Sequence, residues 1–309
     1  MKKIITLTFN PALDKSINVP QLVPEKKLRA SGAKTEPGGG GINVSRALLK
    51  LGFESKAVYL SGGYTGKQFD SLLAAEGVAA IPIPIKNDTR ENFIVLDESS
   101  NKQYRFGMEG PEVIADEWLA VLQYVSEQDD IAYIVVSGSL PPGVPPEALG
   151  QLAVIAKQKN AKLVVDTSGD ALKYAAQEGV YLIKPNLGEL AALYGKEKLN
   201  DDEITTAAGN IIAKGGCEMM AISMGADGAM LVTANGHWQV RAPKVEIHST
   251  VGAGDSMVAG MTAALSKDWP LPDVLRYGVA AGTAATLNAG TELCKKADTE
   301  RLFAQMKEK

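Results

Sequence analysis

The chain has only two cysteines in 309 residues, Cys217 and Cys294, and their wide spacing excludes a disulfide framework of the kind that holds small secreted domains. It has no surplus of positive charge. The 32 Lys and Arg stand against 36 Asp and Glu, a net charge of −4, so nothing in the composition invites nucleic acid or an anionic membrane. Met1-Lys2-Lys3 leads into a short strand pattern without the long apolar run of a secretion signal, and the expected location is the cytoplasm. Two nucleotide signatures are missing as well. Pro37 and Gly38 open no G-x-G-x-x-G turn between a strand and a helix, which argues against a dinucleotide site. Ser61-Gly62-Gly63-Tyr64-Thr65-Gly66-Lys67-Gln68 has the spacing of a P-loop but lacks its first Gly and final Ser or Thr. Neither that phosphate cradle nor its Mg²⁺ hydroxyl is present, and the stretch reads as a strand end and a helix start.

What the chain does contain is 45% hydrophobic residues, enough for one large α/β domain. Ile4–Phe9 is β-branched and ends at Asn10-Pro11. Ile131–Val136, Lys162–Asp166 and Val180–Lys184 are continuous apolar runs separated by helical patterns, as expected of parallel strands buried on both faces. The fold class is therefore α/β, a doubly wound, mostly parallel sheet flanked by helices. Two excursions, at about 15–35 and 88–106, interrupt the pattern. In the second, Asn92–Leu96 and Gln103–Phe106 flank the turn Asp97–Asn101 as a hairpin. Ala221–Met230 followed by Asn235-Gly236 predicts antiparallel strands at the late edge of the sheet.

The densest stretch is Ser249-Thr250-Val251-Gly252-Ala253-Gly254-Asp255-Ser256-Met257, where an extended segment meets a long small-residue helix. Gly252, Ala253 and Gly254 leave backbone N–H groups bare for an anion at a helix N-terminus. An acid in that cradle would repel its ligand unless it has a task, and the available task is to accept a proton from an attacking hydroxyl; Asp255 also fits a plain helix cap. Asp14 follows the first strand, where open parallel sheets place ligand contacts, though Asp is also a common turn residue. Gly39 and Gly40 allow close approach before a helix that carries Asn43 in its first turn. Ser139 and Asp166 end their strands in comparable places. In Lys184-Pro185-Asn186-Leu187-Gly188-Glu189, the Asn and Glu are spaced for a capping box and equally for action on a metal-bound nucleotide. Arg90, Arg105, Lys27 and Arg29 are either phosphate ligands or solvated surface charges.

Glu36–Val44, Val136–Val144 and Ser249–Met257 together resemble the ribokinase-like sugar kinases of the phosphofructokinase-B family, and the likeness runs over nearly all 309 residues. The resemblance implies a single ribokinase-like domain over 1–309, with the excursions forming a small β-sheet lid that pairs with the lid of a second copy in a homodimer. It implies ATP-dependent phosphorylation of a sugar phosphate, foremost fructose 6-phosphate to fructose 1,6-bisphosphate. A 1-phosphofructokinase or tagatose-6-phosphate kinase activity is the near alternative, and a nucleotide-binding regulator without turnover the different one. On this resemblance Asp255 is the base with Gly252, Ala253 and Gly254 around it. Asp14, Gly39, Gly40, Asn43 and Ser139 meet the sugar, and Arg90, Arg29, Lys27 and Arg105 hold its phosphate. Lys184, Asn186, Ser223, Gly225 and Gly228 lie along ATP, and Glu189 acts on Mg²⁺ through water. Ser249, Val251, Ala285, Asn288 and Gly290 form a K⁺ loop. Where relatives carry an Arg near that loop this chain has Glu292, and where one relative has an aromatic for a second ATP it has Val23.

Overall fold

The computed structural model describes residues 3–307; Met1 and Lys2, part of the stretch on which the expected location rests, lie outside the described residues. Thirteen strands alternate with ten α-helices. The strands are β1 (Lys3–Thr8), β2 (Ala12–Val19), β3 (Ser31–Gly38), β4 (Lys56–Gly62), β5 (Ala79–Ile85), β6 (Arg90–Asp97), β7 (Lys102–Phe106), β8 (Ile131–Ser137), β9 (Lys162–Asp166), β10 (Val180–Ile183), β11 (Cys217–Ser223), β12 (Ala229–Thr233) and β13 (Gly236–Val240). The helices are α1 (Gly40–Leu51), α2 (Gly63–Glu76), α3 (Ala115–Glu127), α4 (Glu147–Gln158), α5 (Gly169–Ala175), α6 (Leu187–Leu193), α7 (Asp201–Ala213), α8 (Ala253–Ser266), α9 (Leu271–Thr286) and α10 (Lys296–Lys307).

The main sheet runs β13-β12-β11-β10-β9-β8-β1-β4-β5. Seven strands are parallel, and β12 and β13 close the late edge antiparallel, as the hairpin signal predicts. The turn itself is Ala234-Asn235, with Gly236 as the first residue of β13. Alternate residues of one strand feed opposite cores. Ile5 and Leu7 pack with α3, α4 and α7 on one face, and Ile4 packs with α1, α8, α9 and α10 on the other. That burial on both faces is why β8 reads as an unbroken apolar run. Each large aliphatic side chain so buried contributes roughly 1.5–3 kcal/mol.

Small residues set the spacing of the second layer. A Cβ at Gly260 would lie 2.8 Å from that of Ala281, and one at Gly278 would meet Met261 at 2.4 Å, so α8 and α9 touch backbone to backbone. This close packing seats the N-terminus of α8 firmly over the ends of the strands. Among the described residues no helix is long and apolar enough to cross a membrane.

The excursions form a second sheet in the order β3-β2-β6-β7. The predicted 92–106 hairpin is β6–β7, its turn carrying Asn101 at φ 52. The first excursion differs from its expected bounds: β2 begins at Ala12 and β3 runs on to Gly38. Asp14 is therefore a strand residue, paired with Glu36 and Asn92, and not part of a turn after β1. The β2 pattern has Asp14, Ser16 and Asn18 on one side, which periodicity shows as a half-polar strand once its partners are known.

Candidate active site

The site lies where β1, β8, β9 and β10 end and α1 and α8 begin. Gly252, with φ 73, turns the chain into α8, so Ala253, Gly254 and Asp255 fill the first turn, whose N–H groups have no intrahelical carbonyl. The side chain of Asp255 does not cap this helix. It points instead at neighbouring elements: Asn43 Nδ2 donates to Oδ2 at 3.0 Å, and Ser137 Oγ donates to Oδ1 at 3.4 Å. Burial, reinforced by the negative charge of Asp166, pushes the Asp255 carboxyl up to about 6, against the opposing pull of Asn43, Lys184 and Ser137. A carboxylate with that poise is half ionised at about pH 6 and mostly ionised at neutrality, which suits general-base work.

Lys184 is buried at 5% exposure and its Nζ stands 3.0 Å from Asp166 Oδ1. Burial works against its charge, but Asp166, Glu189 and Asp255 outweigh it and raise its pKa. A Cβ at Gly254 would come within 3.8 Å of Nζ, so the ammonium and the bare backbone of α8 face one space. A buried cation beside N–H groups at a helix start is the donor set an anionic phosphate needs. Asn186 and Glu189 form the capping box in full: Glu189 N donates to Asn186 Oδ1 and Asn186 N to Glu189 Oε2, both at 2.8 Å. Among the described residues no group of three or more His, Cys, Asp or Glu is arranged to hold a metal ion.

Ser223 donates its N–H to Pro185 O at 2.9 Å and bridges to Asn186, which brings the end of β11 beside that cap. Gly225 opens a short 3₁₀ turn at φ 60. Gly228 has a structural reason of its own, since a Cβ there would lie 2.0 Å from Val240 O of β13.

Gly39 enters α1 at φ 110, and a Cβ on Gly40 would strike Ser137 Oγ at 2.2 Å, so these glycines let α1 sit against the end of β8. On the second sheet, Asp14 accepts from Asn92 Nδ2 at 2.9 Å. Burial raises its pKa, with Asn92 and Arg90 pulling the other way. Arg90 Nη2 donates to Asn10 O at 2.9 Å, Nη1 donates to Met108 O, and the buried Nε finds no acceptor among the described residues. Burial lowers the Arg90 pKa while Asp14 opposes it.

Not every expected residue joins. Lys27 and Arg29 are exposed in the loop between β2 and β3. Arg105 is exposed on β7 opposite Ile94, four residues along β6 from Arg90, roughly 13 Å at strand rise. A single copy of the chain does not gather these three around Arg90. They are exposed because they stand on the outer strands and loop of the second sheet. Ser249, Val251 and Gly290 do converge. Ser249 Oγ donates to Gly290 O at 2.6 Å and accepts from Val251 N at 3.2 Å, while Asn288 N donates to Ala285 O at 3.1 Å. Asn288 Nδ2 serves Ala284 O and Leu293 O, so its side chain is committed to the loop itself. Two members of the site escaped sequence reasoning. Ser137 stands just past the run Ile131–Val136 with no role assigned to it, and Asn10 reads as a strand terminator. Asn10 is 3% exposed, donates to Ser139 Oγ at 3.2 Å and to Glu109 O at 2.9 Å, and leaves Oδ1 buried without a partner. A polar side chain beside Pro at the C-terminal end of a central parallel strand was the available signal.

This geometry has close counterparts. The model of the pfkB family carbohydrate kinases matches residues 7–298. The ATP-dependent 6-phosphofructokinase isozyme 2 of Escherichia coli K12 is 44% identical, over 99% of each chain. Solved structures of phosphofructokinase-2 from E. coli, one with potassium and one with fructose-6-phosphate, superpose with TM-scores of 0.96 and 0.94 at 44% and 42% identity. Each covers 99% of this chain and 100% of the other, so the ribokinase-like α/β fold expected from the sequence is the fold observed. A 1-phosphofructokinase from Bacillus subtilis 168 is 33% identical, over 94% of this chain and 95% of its own. With a family match over almost the whole chain and a relative 44% identical over 99% of it, this protein belongs to the pfkB family of carbohydrate kinases.

Proposed function

We propose that the protein transfers the γ-phosphoryl group of ATP in line to the primary hydroxyl of fructose 6-phosphate, giving fructose 1,6-bisphosphate. The observation that carries this reading is Asp255 itself. Its carboxylate is raised to about 6, held by Asn43 and Ser137, and set inside the first turn of α8 where backbone N–H groups await an anion. Asp255 takes the proton of the attacking hydroxyl. The amides of Gly252, Ala253, Gly254 and Asp255 stabilise charge on the transferring group, and Lys184 meets the nucleotide phosphates.

Asp14, Gly39, Gly40, Asn43 and Ser139 are assigned to the sugar. Arg90, anchored through Asn10 and Met108 with Nε free, is assigned to its phosphate; Lys27, Arg29 and Arg105 are the further candidates. Asn186, Ser223, Gly225 and Gly228 are assigned to the rim of the ATP site. Mg²⁺, held through Glu189 and water, would neutralise charge on the nucleotide phosphates. A hard monovalent cation such as K⁺ fits the oxygens of Ser249, Val251, Ala285, Asn288 and Gly290, which the loops already draw together.

The second sheet also suggests a partner, a second copy of this chain. Its face bearing Phe93, Tyr104 and Phe106 leaves these rings 40–48% exposed, while the opposite face carries Asp14, Asn92 and Arg90. Pairing two such apolar faces would bury the rings in a homodimer. The reading is tested by offering the protein ATP, Mg²⁺ and K⁺ with a panel of hexose phosphates. Fructose 6-phosphate should show a kcat/KM at least about tenfold above fructose 1-phosphate and tagatose 6-phosphate. Preference for either competitor would reassign the acceptor, and no ATP consumption with any of them would make the protein a nucleotide-binding regulator.

A further inference from the structure

The amide of Asn43 stands between two groups whose chemistry dictates its orientation. Asp255, ionised above about pH 6, can only accept, and Asn43 Nδ2 reaches its Oδ2 at 3.0 Å. On the other side Arg46, one turn further along α1, can only donate, and its Nη1 reaches Asn43 Oδ1 at 3.3 Å. The amide cannot turn over without breaking both bonds and setting NH₂ against guanidinium and oxygen against carboxylate.

Arg46 is itself held from three sides. It is 5% exposed, and Nε and Nη2 form a fork onto the two carboxylate oxygens of Glu76, each at 2.7 Å. Nη1 also donates to Pro37 O at 2.8 Å, at the end of β3 just before the glycines that enter α1. Glu36 lies 3.9 Å from Nη2, is paired with Lys34 at 2.9 Å, and accepts from Thr291. A buried guanidinium with this many acceptors has one orientation available, and a Lys could not serve Glu76, Pro37 and Asn43 from a single nitrogen.

We infer that Arg46 is a positioning residue for the proton acceptor: fixed by Glu76, it locks the Asn43 amide so that its NH₂ faces Asp255. The inference rests on the assignment of Asp255 as base. The other charged groups facing Asp255 are Asp166 and Lys184, and neither touches Arg46, so the effect runs through Asn43 alone. A hydrogen bond to the ionised form favours it, and releasing the amide raises the pH at which Asp255 ionises.

The test is an NMR pH titration of ¹³C-carboxyl-aspartate protein, with the Asp255 resonance assigned by its loss in Asp255→Asn. Arg46→Lys should move the midpoint up by about one unit. In turnover, kcat should fall about fivefold at pH 6 and less than about twofold at pH 9, the acid limb moving with the titration. A purely structural role would lower Tm and leave the limb in place. Should Arg46→Lys not fold, Glu76→Gln decides, since it loosens the fork while keeping the guanidinium and should shift the midpoint in the same direction by less. A midpoint unmoved in the folded variant overturns the inference. Because the titration is read without substrate, a wild-type protein inactive on sugar phosphates would refute the kinase reading and still leave Arg46 judged on its own result.

Discussion

The two sheets solve different problems. The nine-stranded sheet is covered on both faces, and at its strand ends Ser137 is held by Asp255 and Asp166 by Lys184, while Arg46 holds Asn43 at the start of α1. The four-stranded sheet has an apolar face in the open, and its Arg90 keeps a buried Nε unpartnered. The function proposed above divides its task along this contrast, with chemistry assigned to the covered sheet and choice of acceptor to the exposed one.

The hardest blow to that division is Asp255→Asn. Stopped-flow or coupled assays should show kcat lower by about 10³-fold with KM for the sugar phosphate within about threefold, since the base is lost and the binding groups remain. In the wild type, activity should fall as pH drops through about 6, where the carboxyl protonates. Stability has the opposite sign. A folded-state pKa raised above the ordinary 3.8 means that ionisation costs the fold, so the contribution of Asp255 to stability is greatest at low pH and declines between about pH 4 and 6. Asp255→Asn should therefore raise Tm at pH 8 and scarcely at pH 4, a dependence that thermal scans can follow.

Arg90→Ala tests the other half. KM for fructose 6-phosphate should rise about 30-fold with kcat changed less than about threefold, since a charge-assisted contact made in both ground and transition states is removed. An equal loss in kcat would place Arg90 with the chemistry and blur the division. Smaller still is the effect of Phe106→Asp. Sedimentation should turn a dimer into monomer while the nine-stranded sheet keeps its Tm within a few degrees, and an unchanged sedimentation coefficient would leave the exposed face without its proposed partner. The least change is expected for Glu189→Gln, which keeps one cap acceptor and alters KM for MgATP by about twofold to fivefold in steady-state kinetics.

Legibility followed the same divide. The main sheet was plain because β-branched runs buried on both faces leave continuous apolar stretches, and the glycine-rich entry to α8 was plain because bare backbone is written directly in residue type. Asp14 was harder to place, since a strand with one polar side looks like a loop until its neighbours are known. Ser137 and Arg46 carry no local signal of their role: the first acts on a residue 118 positions distant and the second through an amide one helical turn away. Asn186 and Glu189 were equally a cap and a nucleotide contact in the sequence, and the structure shows the cap in full while leaving the other role to experiment.

The pairing of β2 with β6 joins Ala12 to Arg90, across β3, α1, β4, α2 and β5. Contacts so remote in sequence are entropically costly to close early, so this pairing forms after the intervening strands and helices have come together. In a refolding experiment with pulsed amide labelling, protection of the β8–β9 pairing, which joins Tyr133 to Lys162, would precede protection of β2–β6. A chain interrupted midway would hold neighbouring strands of its main sheet while Asp14 and Asn92 of the second sheet were still apart.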